Sequence, residues 1–314
     1  MADPLVSIVI PTYRREASLY NALCSVGRQD YGNLEIIIVD DNDEANWNVK
    51  VADVVERFRR QCTRPVCCIV NHPNRGSAMA RNVGIDAAKG QYVSFLDDDD
   101  VYLPSKIRHQ VARMEENSAD YSLTDLALYN EDESLCEIRR RDYFETPEGR
   151  DLFICHLKYH MTGTDTMMFR TDYIRRFGGF EHIDVGDEFY LIMKAIQSGG
   201  RFVYVAECDV RAYVHTGEQG LSSGQSKIDG ENQLFAFKKQ YFDRLAPRDV
   251  RYIKMRHHAV LAFACKRCGK TADFVSEGVR AVICAPVQCT RMLVNLKRGR
   301  EKRSEFSKKA EKRD

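Results

Sequence analysis

The chain has 314 residues, 44% hydrophobic, 30% charged and 10% aromatic. That is too long for a small binding module, suits one large α/β domain or two modest ones, and lies outside the disordered and fibrous classes. The formal net charge of +1 gives no sign of a nucleic-acid partner, but it is a cancellation: residues 291–314 hold ten Lys and Arg against four Asp and Glu, a net +6 that leaves −5 on residues 1–290.

In chain order, the first segment, MADPLVSIVIPTYRR, has no basic residue before its short apolar run and no small-residue cleavage site, so it is not read as a signal peptide. VSIVI at 6–10 and EIIIVD at 35–40 are continuous β-branched runs, the pattern of strands buried on both faces of a parallel sheet. Between them, residues 16–28 space Leu19, Leu23 and Val26 as a helix does. The alternation repeats: a helix over 47–60, a strand over 67–71, a helix over 77–88 and a strand over 92–96. This rhythm predicts right-handed βαβ units on one open, mostly parallel sheet, an α/β fold of nucleotide-binding type. Pro104 opens a helix over 105–117. Residues 121–130, a turn at 131–134 and residues 135–141 suggest a hairpin, 166–170 a strand, Gly178 to Phe180 a turn, and 187–197 a helix with two acids in its first turn. From about 226 the pattern is helical through 227–242, 251–268 and 271–285.

No stretch reaches the roughly 18 apolar residues that span a bilayer. The body is therefore expected to be cytoplasmic, and its eleven cysteines to be reduced thiols. Cys265 and Cys268 form CKRC close after His257 and His258, but no second ligand pair follows at matching spacing, which favours a structural role over a zinc site. Residues 279–296 are apolar with two arginines and run into the basic tail. That juxtaposition reads equally as a peripheral contact with the anionic inner face of a membrane or as a packed helix followed by a solvated tail.

Ligands of α/β sheets bind outside the carboxyl ends of the strands. Asp40, Asp41 and Asp43 follow the second strand, and Asp97, Asp98, Asp99 and Asp100 follow the fourth. Four consecutive aspartates repel one another unless a cation or hydrogen-bond donors compensate them, and Mg²⁺ or Mn²⁺ bound through carboxylates and phosphate oxygens is a natural compensator. Asn74, Arg75, Gly76 and Ser77 lead into a helix carrying Arg81 and Asn82, a plausible anion site.

The strings VSIVIPTYRR, EIIIVDDND, NRGSAMARNVGIDAAKGQYVSFLDDDD and VYLPSKI, in this order over residues 5–110, resemble the amino half of the family 2 glycosyltransferases with the GT-A fold. GGFEHIDVGDEFYLIMKA and YVHTGEQGLS extend the likeness to about residue 223. The resemblance implies a GT-A catalytic domain over 1–225, with a nucleotide-sugar half (5–110) and an acceptor half (111–225), then a helical region (226–290) and a basic tail (291–314). It implies an inverting, metal-dependent hexosyl- or N-acetylhexosaminyltransferase. Such an enzyme would take a nucleotide sugar, most often a UDP-sugar, and a glycan or lipid-linked acceptor in surface polysaccharide or glycolipid synthesis.

By the same resemblance, Pro11, Tyr13 and Asp41 hold the base, and Arg75 and Arg81 contact base or diphosphate. The family's Asp-x-Asp falls on Asp97 with Asp99 or on Asp98 with Asp100. Asp99 is favoured as the main ligand of Mn²⁺ or Mg²⁺, with Asp97 or Asp98 reaching the ribose or sugar. His215 is a further metal ligand, a diphosphate contact or a core histidine. The base is the second acid of VGDEFYL, Glu188, with Asp187 behind it; the family more often has Glu then Asp here. Two other readings stand beside this one. A nucleotidyltransferase would need a glycine-rich basic signature after the first strand, which IPTYRREAS lacks. A non-catalytic nucleotide-sugar binding protein would need no acid pair at 187 and 188.

Overall fold

A computed structural model describes residues 3–141, 149–183, 185–214, 224–292 and 294. Its first half alternates strictly: β1 (Val6–Thr12), α1 (Glu16–Gly27), β2 (Leu34–Asp40), α2 (Ala45–Arg59), β3 (Val66–Val70), α3 (Gly76–Ala87) and β4 (Tyr92–Phe95). β5 (Val101–Tyr102), α4 (Lys106–Glu116), β6 (Tyr121–Thr124), β7 (Leu126–Asn130) and β8 (Leu135–Arg139) follow. Then come α5 (Gly149–Tyr159), a short 3₁₀ turn (Thr164–Thr166), β9 (Met167–Arg170), α6 (Thr171–Arg176), α7 (Asp187–Gln197), β10 (Phe202–Val205) and β11 (Val210–Val214). α8 (Gly224–Lys239), α9 (Pro247–Arg267) and α10 (Thr271–Cys284) form the helical end, with a further helical stretch over 286–292.

Seven strands form the main sheet in the order β10-β6-β9-β4-β1-β2-β3, and β9 alone runs against its neighbours. The register Ile8↔Ile36 and Ile10↔Ile38 shows why the first runs are continuously apolar. Ile8, Ile10, Ile36 and Ile38 pack on one face with α1, α2 and α4, whereas Val9, Ile37 and Val39 pack on the other with α3, α6 and α7. Both faces are covered, so no position along these strands can be polar without cost. Each such side chain contributes roughly 1.5–3 kcal/mol on burial. At Gly84 a Cβ would lie 2.2 Å from Val9 Cγ1, so only glycine lets α3 rest this closely on β1.

The mostly parallel sheet matches the expected fold class, and the element boundaries in this half lie within two residues of those expected. The hairpin reading needs correction. Residues 121–130 are not one arm: Asp125 divides them, β6 joining the main sheet and β7 a second sheet of order β5-β11-β7-β8. Buried Asp125 makes the break, accepting hydrogen bonds from the Arg141 amide (2.9 Å) and the Tyr204 hydroxyl (2.6 Å). The β7–β8 pair is the antiparallel hairpin. α7 spans the expected residues 187–197.

Beneath the end of β4, Lys106 is fully buried, its Nζ donating to Ser94 Oγ (2.5 Å) and Tyr102 Oη (3.0 Å). Burial pushes its pKa down to about 7, although Asp165 and Asp209 act in the opposite sense. Among the described residues no helix is long and apolar enough to cross a membrane.

Candidate active site

The carboxyl ends of β1, β2 and β4 open on one side of the sheet, and the aspartates after β4 divide among several partners, Asp98 and Asp99 sharing Arg15. Asp98 is buried and accepts from Thr12 Oγ1 (2.7 Å), the Tyr13 amide (3.3 Å) and Arg15 Nη1 (3.4 Å). Burial and the charge of Asp99 push its pKa up to about 7, against the hydrogen bond from Thr12. Asp99 pairs with Arg15, the residue at the head of α1. Asp97 accepts from Arg81 Nη2 (2.6 Å). Asp100 is buried and accepts the Tyr213 amide (2.9 Å) through Oδ1.

A fifth acid joins them. Asp165, buried in the 3₁₀ turn before β9, accepts the Asp97 amide (2.7 Å). Asp97, Asp100 and Asp165 each present a carboxylate oxygen within 4.8 Å of the others. Burial raises Asp165 to about 7 and holds Asp100 well above the usual carboxylate range, with their mutual repulsion adding to it for Asp100. Hard oxygen donors converging in this way fit a small divalent cation, which would supply the compensating positive charge. The expected Asp-x-Asp was Asp97 with Asp99 or Asp98 with Asp100, Asp99 being favoured; one residue of each pairing, Asp97 and Asp100, belongs to the converging set, and Asp99 faces Arg15.

Arg81 connects this cradle to the head of α7. Its guanidinium is almost wholly enclosed, donates to Asp97 and to Asp187 Oδ2 (3.2 Å), and lies 5.4 Å from the Phe180 ring centroid. Burial alone would lower its pKa, but Asp97 and Asp187 outweigh this and hold it above its ordinary value. Asp187 and Glu188 open α7 behind Gly186, whose φ of +89° favours glycine. Burial raises Asp187 to about 6 despite Arg81. Glu188 points elsewhere, its Oε1 accepting from Thr164 Oγ1 (2.9 Å).

The remaining expected residues lie along the β1 and β2 ends. Pro11 is buried in β1, while the Tyr13 ring is 45% exposed beside the Arg14 guanidinium. Asp41 is buried and its carboxylate already accepts Asn71 Nδ2 (2.7 Å) and the amides of Arg75 (3.1 Å) and Gly76 (2.9 Å). It thus caps α3 and holds the Arg75 loop against β2. The Arg75 side chain is exposed. His215 lies outside the described residues. Cys265 is at the end of α9 with Cys268 just beyond it, and His257 and His258 turn to Glu231 and Glu277.

A mostly parallel sheet with an acidic cradle at its carboxyl ends and an acid pair on a facing helix is the GT-A arrangement. Residues 7–178 match Glycosyl transferase family 2, and the chain belongs to that family. It is 30% identical over 130 residues to the Escherichia coli UDP-Glc:alpha-D-GlcNAc-diphosphoundecaprenol beta-1,3-glucosyltransferase WfgD, a match covering 41% of this chain and 49% of that protein. So the match to this relative spans about half of its length. The putative colanic acid biosynthesis glycosyl transferase WcaA of E. coli strain K12 is 25% identical over 293 residues, covering 88% of this chain and 98% of that one. Among solved structures, S. aureus TarS 1-349 in complex with UDP-GlcNAc superposes with a TM-score of 0.57 at 16% identity, over 87% of this chain and 90% of that one. The mannosyltransferase PcManGT from Pyrobaculum calidifontis, in complex with GDP-Man and Mn²⁺, gives 0.58 at 19% identity, over 94% and 81%. At these identities the structures establish the shared fold.

Proposed function

We propose that the protein is an inverting, metal-dependent glycosyltransferase that moves a sugar from a nucleotide sugar, a UDP-sugar, to a hydroxyl of a lipid-linked or glycan acceptor in surface polysaccharide or glycolipid synthesis. One observation carries the reading: Arg81 ties the Asp97–Asp100–Asp165 cradle to the acid pair at the head of α7. The two halves of a displacement at an anomeric carbon therefore share one rigid frame. In support, the WfgD name gives a UDP-sugar and a diphosphate-linked acceptor for that enzyme, and Mn²⁺ accompanies GDP-Man in PcManGT.

In this mechanism Tyr13 and Pro11 flank the base, and Asp41 fixes the loop that brings Arg75 to the donor. Asp97, Asp100 and Asp165 would hold Mn²⁺ or Mg²⁺, with Asp99 able to join them by releasing Arg15. The cation supplies charge neutralisation for the diphosphate. Glu188 takes the proton of the acceptor hydroxyl as its oxygen bonds to the anomeric carbon, and the bond from that carbon to the diphosphate oxygen breaks with its electrons leaving on the nucleoside diphosphate. Thr164 orients Glu188 for that step.

The test is hydrolysis of UDP-sugars with Mn²⁺. The wild-type protein should release UDP, and EDTA, Asp99→Ala or Asp165→Asn should each reduce the rate at least 100-fold. Release of pyrophosphate from a nucleoside triphosphate would make it a nucleotidyltransferase, and tight UDP-sugar binding without turnover would make it a binding protein.

We also propose that the carboxyl-terminal end contacts a membrane surface. Val275, Val279, Val282, Ile283 and Val287 are all exposed, Ile283 by 75%, and recur at helical spacing along α10 and beyond it. An apolar stripe that runs into a segment of net +6 suits an anionic lipid surface. Sedimentation with phosphatidylglycerol vesicles is expected to fall at least tenfold in Ile283→Glu and on removal of residues after 290. Unchanged sedimentation of both variants would remove the contact.

A further inference from the structure

The three acids of the cradle come from two strands that part where the cradle begins. Asp97 and Asp100 follow β4, Asp165 precedes β9, and the antiparallel register of β4 with β9 ends at Ser94↔Met168. Past that pair, side chains reach the backbone. Ser94 Oγ donates to the Met167 carbonyl (2.9 Å), the Tyr102 hydroxyl to the Phe95 carbonyl, and Gln110 Nε2 to the Thr166 carbonyl (2.8 Å). Each of these carbonyls lies within two residues of Asp97 or Asp165 in the chain.

Lys106 organises this set. It opens α4, fully buried, with Gln110 one turn further along the same face. Its Nζ donates to both Ser94 Oγ (2.5 Å) and Tyr102 Oη (3.0 Å) and lies 4.2 Å from the Tyr102 ring centroid. A hydroxyl carries a single proton. Because Lys106 occupies a lone pair on each oxygen, Ser94 and Tyr102 keep their protons for carbonyls, one on β9 and one on β4. Both partners are neutral hydroxyls, so the fold gains no ion pair in return for burying this lysine. What the position supplies is a join between the two strands that carry the cradle's acids, at the level where their ladder has ended.

Resting on the metal-dependent reading above, we propose that Lys106 is a positioning residue for the cation: through Ser94 and Tyr102 it holds the end of β4 against the start of β9, and so sets the spacing of Asp97 and Asp100 from Asp165. It acts on the three acids only through these intermediaries. Residues that hold a metal's ligands in place are typically worth about 10–100-fold in its affinity. The sign of the effect separates this role from a purely electrostatic one. Positive charge beneath a cation site repels the cation, so removing it would by itself tighten binding.

Mn²⁺ titrated into the full chain without donor and followed by electron paramagnetic resonance is the readout. Lys106→Met should weaken Mn²⁺ at least tenfold, and Tyr102→Phe, which removes the arm to β4, at least threefold. Ile107→Ala, at the fully buried next residue of α4, destabilises the same helix by deleting core contacts and should leave Mn²⁺ affinity within twofold of wild type. Unchanged or tighter Mn²⁺ binding in folded Lys106→Met, or an equal loss in Ile107→Ala, would overturn the proposal. Should Lys106→Met fail to fold by circular dichroism, Tyr102→Phe carries the same comparison. A crystal structure of the metal-free variant adds a readout that needs no cation. The Asp165 carboxylate accepts the Asp97 amide at 2.7 Å in the wild-type chain and should withdraw from hydrogen-bonding distance; an intact contact would count against Lys106 as decisively as unchanged affinity. Failure of the wild-type protein to bind Mn²⁺ would remove the metal-dependent reading, and the Asp97–Asp165 contact would then decide the role of Lys106 separately.

Discussion

Glu188→Gln is expected to lower kcat for sugar transfer by about 10²–10⁴-fold, the usual contribution of a positioned general base. Its amide oxygen can still accept from Thr164 Oγ1, so the side chain keeps its orientation and loses only its ability to take a proton. Binding of UDP with Mn²⁺ should stay within about threefold of wild type, because no cradle carboxylate is bonded to Glu188. Asp187→Asn makes the decisive comparison. Asp187 faces Arg81 rather than open space, and an asparagine there keeps an oxygen for that guanidinium. It should cost far less turnover than Glu188→Gln. If instead Asp187→Asn abolished transfer while Glu188→Gln turned over near the wild-type rate, the base would be Asp187. The two residues are adjacent in sequence but have different partners, so the two variants can be told apart.

Such partners explain what could be read from the sequence and what could not. β1 and β2 were legible because both faces of each strand are covered, so every position obeys one rule. β10 and β11 were not, since runs of four and five residues are too short for their alternating burial to stand out in the sequence. The division at Asp125 was hidden for another reason: its partners Arg141 and Tyr204 lie 16 and 79 residues away. The acidic run after β4 announced itself by concentration. Asp165 stands alone in TGTDTMM and becomes part of the cradle only because β9 is inserted antiparallel between β4 and β6. Asp41 shows the reverse case. A carboxylate at a strand end is expected as a base contact, and the sequence gives no sign that Asn71, Arg75 and Gly76, some thirty residues on, also engage it in capping α3.

Arg81→Met should produce the largest loss of stability in the molecule's active half. The guanidinium is 6% exposed and its partners Asp97 and Asp187 are 35% and 14% exposed, so removing it leaves two partly buried carboxylates facing each other. Deleting one side of a buried ion pair typically costs about 3–5 kcal/mol, and the partial exposure of Asp97 argues for the lower figure. At roughly 2–4 °C per kcal/mol for a chain approaching this size, the thermal midpoint should fall by about 6–12 °C. Arg81→Lys should recover little, since one ammonium cannot reach both acids in the geometry that the planar fork permits. Adding Asp187→Asn to Arg81→Met removes one of the stranded charges and should restore part of the midpoint, which a merely bulky packing role for Arg81 would not allow. That coupling matters beyond stability. Asp97 belongs to the cradle and Asp187 to the helix that carries Glu188, so the residue that makes the fold tolerate both acids also sets the distance between the cradle and the head of α7. A double variant that regains its melting midpoint but not its turnover would separate those two roles of Arg81.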